Sequence, residues 1–214
     1  MRLFRAGVCF AVTTTLWGQT APAPAASGWL PPADPYTPLT PAGKVKRRAL
    51  RLIEPTLLVN TAISAGINQW RDIPHAWGQG AEGSAIRFAS AEGFAAAHNT
   101  VALGFDLALH LDPRYRRMPE GSVSGRLWNA VSQTFIAYRD DGGRMVNVSE
   151  IGGSFGAGFI SNAWQPPGFN SPGDAVTRGL LTLVFHTSRN VAREFLPDLM
   201  HRTHPSTQSP NTPN

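Results

Sequence analysis

The chain is short of cysteine, of charge and of long apolar runs. Of its 214 residues one is cysteine and 15% are charged, against about 25% in ordinary soluble domains. The lone thiol, Cys9, sits inside the N-terminal apolar run. The segment that follows therefore has neither a disulfide framework, nor a thiolate metal site, nor a cysteine nucleophile. The formal charge of +5 falls to +3 once Arg2 and Arg5 are set aside, a bias too small for a nucleic-acid-binding surface. No nucleic-acid partner is expected. A bilayer-spanning helix needs about 20 consecutive apolar residues, and no segment offers them. Pro55 to Trp70 is too short between its charged neighbours, and the uncharged stretch from Ile151 to Gly173 is broken by Pro166-Pro167.

What is there argues for an ordered chain. The hydrophobic share is 42%, and the 21 glycines and 18 prolines show no three-residue period, which excludes collagen and, with so few charges, disorder. The length accommodates one domain with a proper core.

The N-terminus reads as a secretory signal. Arg2 and Arg5 precede the apolar run Ala6 to Trp17, and small residues suited to cleavage follow between Gly18 and Ala26. The reading assigns residues 1–23 to a signal peptide, with an uncleaved N-terminal anchor as the alternative. A lipoprotein with Cys9 acylated is disfavoured because Val8 stands where a small residue is required. Residues 24–43 follow as a Pro/Ala-rich linker in which Pro31-Pro32, Pro35, Pro38 and Pro41 deny regular structure. Residues 44–200 form a single helical domain, and residues 201–214, with Pro205, Pro210 and Pro213, a disordered tail. The protein is expected in the cell envelope, periplasmic or membrane-associated.

The fold expected is mainly α, a compact bundle of about five helices. The basic segment Lys44 to Arg51 feeds a first helix from Glu54-Pro55 to Trp70. A second runs from Gly83-Ser84 to His110, a shorter one from Ser122 or Ser124 towards Phe135, a fourth from Glu150 to Trp164. The last starts at Ser171-Pro172-Gly173-Asp174 and is limited by Pro197. Asp140-Asp141-Gly142-Gly143 makes a tight turn that predicts a short β-hairpin near 134–149.

Small residues recur at a spacing of four, which stacks them on one helix face. Ala89, Gly93 and Ala97 form one column; Ala96, Thr100, Gly104 and Ala108 a second; Gly152 with Gly156, and Gly153 with Ala157 and Ser161, a third and fourth; Ala62 and Gly66 belong to the first helix. An interior glycine costs about 1 kcal/mol of helix propensity relative to alanine, so such columns predict close approach of another surface. They suit helices meeting in lipid and, equally, a tightly crossed soluble bundle. The first helix carries a polar stripe of Asn60, Ser64 and Asn68 opposite Val59, Ile63, Ile67 and Trp70. In the last helix Arg178, Thr182, His186, Arg189 and Arg193 form a stripe that reads as a solvated face, or as one meeting lipid phosphates.

Three patterns resemble chemistry. Gly78-Gln79-Gly80-Ala81-Glu82-Gly83 matches a dinucleotide-binding loop, but the charged, proline-broken residues before it cannot form the required strand, so a hinge or close-contact loop is expected. Gly152-Gly153-Ser154-Phe155-Gly156 matches a nucleophile elbow but lacks the parallel sheet that would position Ser154. His98, Asp106 and His110 are the best-placed ionisable group. Asp106 and His110 share a helix face, with His98 offset by about 80°. That spacing supplies two ligands where zinc wants three or four. The expectation is a satisfied polar cluster in which Asp106 pairs with a basic residue and His110 sits at the helix C-terminus. Asp112 and Arg114 read as a polar anchor in the following turn. No residue is assigned a catalytic, cofactor-binding or metal-ligating role.

The segments Trp77 to Gly83, Asp112-Pro113-Arg114-Tyr115, Arg126-Leu127, Phe135 to Arg139 and Trp164-Gln165-Pro166 together resemble an uncharacterised family of small exported bacterial envelope proteins. The resemblance spans roughly Glu54 to Asp198. It implies export and envelope placement and carries over no activity and no catalytic residue. Two functions are therefore expected as rivals. One is a non-enzymatic envelope protein packing against lipid, a membrane-embedded partner or its own copies. The other is a soluble periplasmic enzyme or ligand- or metal-binding bundle using the His98, Asp106 and His110 region.

Overall fold

A computed structural model describes residues 37–203; the signal peptide, most of the linker and residues 204–214 lie outside them, while 201–203, expected to begin the tail, end the last helix. The described chain is mainly α, with six helices and one small antiparallel sheet among the described residues. Helix α1, Pro41–Leu52, starts inside the segment expected to be linker. Thr40 caps it, its hydroxyl accepting from Gly43 N at 3.1 Å, and Pro41 occupies the first turn where no N–H is needed. The basic segment is thus a helix of its own and not a lead-in to the next one. Helix α2, Pro55–Trp70, follows after two residues. A 3-10 turn at His75–Trp77 leads to α3, Gly80–Ala108, which at 29 residues is a central rod about 43 Å long.

At the end of α3, His110 adopts a left-handed backbone with φ 54° and turns the chain into strand β1, Leu111–Asp112. Helix α4, Val123–Phe135, is capped by Ser122. It runs directly into β2, Ile136–Arg139, which pairs with β3, Arg144–Val146, across the expected Asp140–Gly143 turn. The hairpin acquires β1 as a third strand, with Leu111 opposite Arg139 and Asp112 opposite Tyr138. Helix α5, Val148–Ser161, is capped by Asn147, and α6, Pro172–Thr203, continues through Pro197.

Helix α5 lies between α3 and α6 and makes the densest contacts of the molecule; α4 packs on α6, and α1 and α2 pack on α3. The α5 glycines explain the closeness. A Cβ on Gly152 would sit 2.5 Å from the Phe105 ring, and one on Gly153 or Gly156 would press on α3 at 3.1 Å. Other expected packing glycines do not act this way. Gly93 meets Trp164 at ordinary contact distance, while Gly66 and Gly104 face open space. Periodicity selects a face of a helix but not which face is covered. Two positions outside the stacked columns bring α5 and α6 together as closely: Gly158, against the Ala175 carbonyl, and Gly179, against the Phe155 ring.

The interior of this bundle is polar. Arg48, Asp106, Asn129, Ser149, Ser154 and Glu194 are fully buried or nearly so, and Leu111 and Tyr138 are the bulky apolar side chains buried to the same degree. On α2, Thr61 and Ala65 face inward while Val59, Ile63, Ile67 and Trp70 are exposed. On α6, Leu180, Val184 and Phe185 are exposed, and the stripe expected to be solvated turns inward. There Arg178 donates to the Gly158 carbonyl of α5 at 3.3 Å, and His186 contacts Glu150.

Candidate functional site

The two expected dinucleotide and nucleophile patterns are structural. The glycine loop closes around the buried Arg87, whose guanidinium donates to the carbonyls of Ile73, Pro74 and Gly78 and to Gln69 Oε1 at 2.6–2.9 Å. It is a close-contact loop, preceded by helix and not by strand. Ser154 lies within α5, and its hydroxyl donates to the Glu150 carbonyl at 2.7 Å, so it is aimed at its own helix.

The His98, Asp106 and His110 group is divided by the fold. Asp106 is buried and accepts from Arg48 Nε at 2.7 Å, the basic partner expected of it. His110 is itself the left-handed residue after α3, with its side chain 71% exposed and 3.8 Å from Asp140. Asp112 is buried in β1 and accepts from the backbone N and the Nε of Arg114, at 3.1 and 2.9 Å, which is the anchor expected there. His98 points the other way, toward α5 and α6.

There His98, Glu150 and His186 converge, one from each of the three central helices, with one potential ligand atom each and all within 4.8 Å of one another. Glu150 is the hub. Its Oε1 receives Arg48 Nη1 at 3.0 Å and lies 3.5 Å from Arg51 Nη1. Its Oε2 contacts His186 Nδ1 and stands 3.6 Å from His98 Nε2. Both Glu150 Oε2 and His98 Nε2 are buried without a well-formed hydrogen bond. The two imidazole rings meet edge-on with centroids 4.7 Å apart. Arg48 is itself fixed by Asp106 and by Ser149 Oγ, which accepts at 2.8 Å, so the guanidinium side of Glu150 is rigid.

The electrostatics keep His98 and Glu150 in a ligating form. Burial pushes the His98 imidazole down to about 3, leaving it neutral with a free lone pair at ordinary pH. Burial works to raise the Glu150 carboxyl, but His186, Arg48 and Arg51 together overcome it and hold that carboxyl well below the usual range. A neutral imidazole and an ionised carboxylate are the states a metal requires. Two imidazoles and one carboxylate suit a zinc-class ion and leave a fourth position for water.

Glu150 and His186 also form one wall of a polar cavity of about 40 Å³, lined by five arginines (Arg48, Arg51, Arg114, Arg189, Arg193) against three carboxylates (Asp106, Asp112, Glu150). Sequence reading missed this site because its members are 52 and 36 residues apart. Glu150 read only as the start of the fourth helix, and His186 as one member of the α6 stripe. The one available signal was that stripe itself, a histidine at helical spacing among arginines. Comparison with protein-family models, with curated proteins and with solved structures finds no match.

Proposed function

We propose that this protein is a metal-binding helical bundle that holds one divalent ion of the zinc class through His98, Glu150 and His186. The observation that carries it is the convergence of these three side chains from α3, α5 and α6, with the buried His98 Nε2 left without a hydrogen bond 3.6 Å from the carboxylate oxygen that His186 contacts. A buried polar atom without a partner costs about 1–3 kcal/mol, and a bound cation would remove that cost at His98 Nε2. Arg48 and Arg51 on the far oxygen of Glu150 would orient the ligand from behind, as outer partners of metal ligands do. The metal would take the place of the direct contact between Glu150 and His186, two residues that also line the arginine-rich cavity. This reading keeps the expected ligand-binding bundle, relocates its site from Asp106 and His110 to Glu150 and His186, and retains His98.

Equilibrium dialysis of the purified chain against zinc, followed by elemental analysis, tests it. About one zinc per chain is expected, abolished by His186→Ala and reduced by His98→Ala, with His110→Ala unaffected. Absence of saturable zinc binding, or binding that survives both His98→Ala and His186→Ala, would overturn it.

A second reading rests on a different observation, the apolar outside. Val59, Ile63, Ile67 and Trp70 on α2, and Leu180, Leu181, Val184 and Phe185 on α6, are each about half exposed or more, and contiguous exposed apolar surface marks interaction sites. Among the described residues no helix is long and apolar enough to cross a membrane, so any lipid contact would be lateral, through helices lying in the interface. In this reading the protein is an exported envelope component covered by membrane lipid, a membrane-embedded partner or its own copies, attached by the α2 face. Fractionation of the native cells decides it: recovery of the protein wholly in the soluble fraction at ordinary salt would count against it.

A further inference from the structure

The cavity beside Glu150 and His186 has more positive charge than its own carboxylates consume, and we infer that it is a binding site for a tetrahedral oxyanion of the phosphate class. The inference goes beyond the metal reading and does not require it.

The charge inventory leads there. Asp106 is engaged by Arg48, and Asp112 by Arg114, with Arg116 as a further neighbour at 3.7 Å. Glu150 is shared by Arg48 and Arg51. That leaves Arg189 and Arg193 of α6 facing the cavity with little to oppose them. The Nε of Arg189 is buried without a hydrogen-bond partner. Arg193 reaches Glu54 only at 3.6 Å, and Arg51 approaches Glu150 no closer than 3.5 Å. Each of these guanidiniums retains donors for a ligand. A planar guanidinium presents paired N–H groups that match phosphate or carboxylate oxygens two at a time, and three of them from two helices, α1 and α6, can enclose a tetrahedral anion from different sides.

The surroundings report the same surplus. Burial lowers the Arg51 guanidinium to about 10; Glu150 works against it, and Arg48 and Arg193 add to it. Burial also lowers Arg47, which lies near Arg193, Arg114 and Arg48. Arginines crowd like this at the expense of stability unless an anion relieves them. The cavity's volume of about 40 Å³ gives room for roughly three water-sized centres, the scale of a phosphoryl group and not of a large organic ligand. A phosphoryl group seated there would have His186 at its edge.

The anion has two sources, free phosphate and the phosphoryl headgroup of a lipid, and the experiment separates them. Isothermal titration of the full chain with inorganic phosphate, at fixed ionic strength against chloride, is run on the protein as isolated and again after chelation. A parallel arm measures retention on phosphatidylcholine vesicles with and without phosphatidic acid. Saturable phosphate binding that survives chelation and weakens at least about tenfold in Arg189→Gln is the expected result, a loss of the size of one charge-assisted contact. Arg193→Gln, at the half-buried rim, is the second variant should Arg189→Gln fold poorly. Retention that depends on phosphatidic acid and is lost in the same variants assigns the site to a lipid headgroup. Phosphate binding with vesicles that do not discriminate assigns it to a soluble phosphate. His98→Ala is expected to leave phosphate binding in place, so a protein that binds phosphate but no zinc refutes the metal reading alone. No saturable binding in either arm, or binding unchanged in both arginine variants, overturns the inference.

Discussion

Arg48 Nε and Asp106 Oδ2 are 2.7 Å apart, and neither side chain is more than 2% exposed. This pair, joining α1 to α3, is the reason Asp106 does not belong to the histidine cluster. It also places a charge where it must be compensated, since Arg48 serves Glu150 at the same time. Arg48→Met should therefore leave two buried carboxylates short of a counter-charge and destabilise the protein by about 3–5 kcal/mol. Adding Asp106→Asn should cost less than it does in the wild-type background, because the two residues act as a unit. Urea denaturation of the four proteins of this cycle checks it, and strictly additive losses would show that the pair is not coupled.

The glycines divide into those that touch something and those that do not. A Cβ at Gly158 would fall well inside 3.0 Å of the Ala175 carbonyl oxygen, and one at Gly179 would fall 2.6 Å from the Phe155 ring. Alanine at either should separate α5 from α6 and lower stability by about 1–3 kcal/mol, the cost of overpacking. Alanine at Gly104, an interior helical position facing open space, should be neutral or stabilise by up to about 1 kcal/mol. Thermal melting of the three variants gives opposite signs if the contacts are as described.

Alkaline pH should expose the second polar core. Tyr115 donates its hydroxyl to the buried Glu194, which also accepts from Met118 N at 3.0 Å and Asn129 Nδ2 at 3.2 Å. Burial, and after it the hydrogen bond to and charge of Glu194, raise the Tyr115 phenol well above its ordinary value. A raised folded value favours the protonated form. The resulting stability is complete below the unfolded value near 10 and is lost as pH rises beyond it. The wild type should lose stability above pH of about 10 more steeply than Tyr115→Phe. Equal slopes in denaturation midpoints across that range would contradict the assignment.

The apolar face of α2 makes a separate prediction. Ile63 and Ile67 are about half exposed and Trp70 almost fully, so serine at all three should change folding stability little, within about 0.5 kcal/mol per site. Membrane pelleting or self-association, measured by flotation and sedimentation, should fall sharply if this face is a contact surface. Unchanged partitioning would assign α2 to solvent.

Much of the local structure was legible because it is written in neighbouring residues. The Ser122 cap, first-turn prolines at Pro55 and Pro172, and the turn at Asp140–Gly143 each act within a few positions. The first N-terminal helix was missed because its prolines read as linker and the basic run Lys44 to Arg51 as a lead-in, whereas α2 begins at Pro55 as read. Pro197 was read as a stop although α6 passes through it. Asp112 and Arg114 were legible as an anchor because they are two residues apart. Glu150 and His186 were not legible as partners of His98, because no local rule connects positions so far apart.

The sequence by itself determined that this is a helical chain with few charges, glycine-lined segments, no cysteine after Cys9 and no segment of spanning length. These properties follow from composition and from i, i+3 and i, i+4 spacing. The tertiary structure alone decided which faces turn inward. It put the arginine and histidine stripe of α6 inside and much of the apolar side outside, and split Asp106 and His110 from His98. It also drew α5 close enough to α3 and α6, through Gly153, Gly156, Gly158 and Gly179, for His98, Glu150 and His186 to meet. Periodicity defines a stripe on a cylinder; only the packing of one helix against its neighbours gives that stripe a direction.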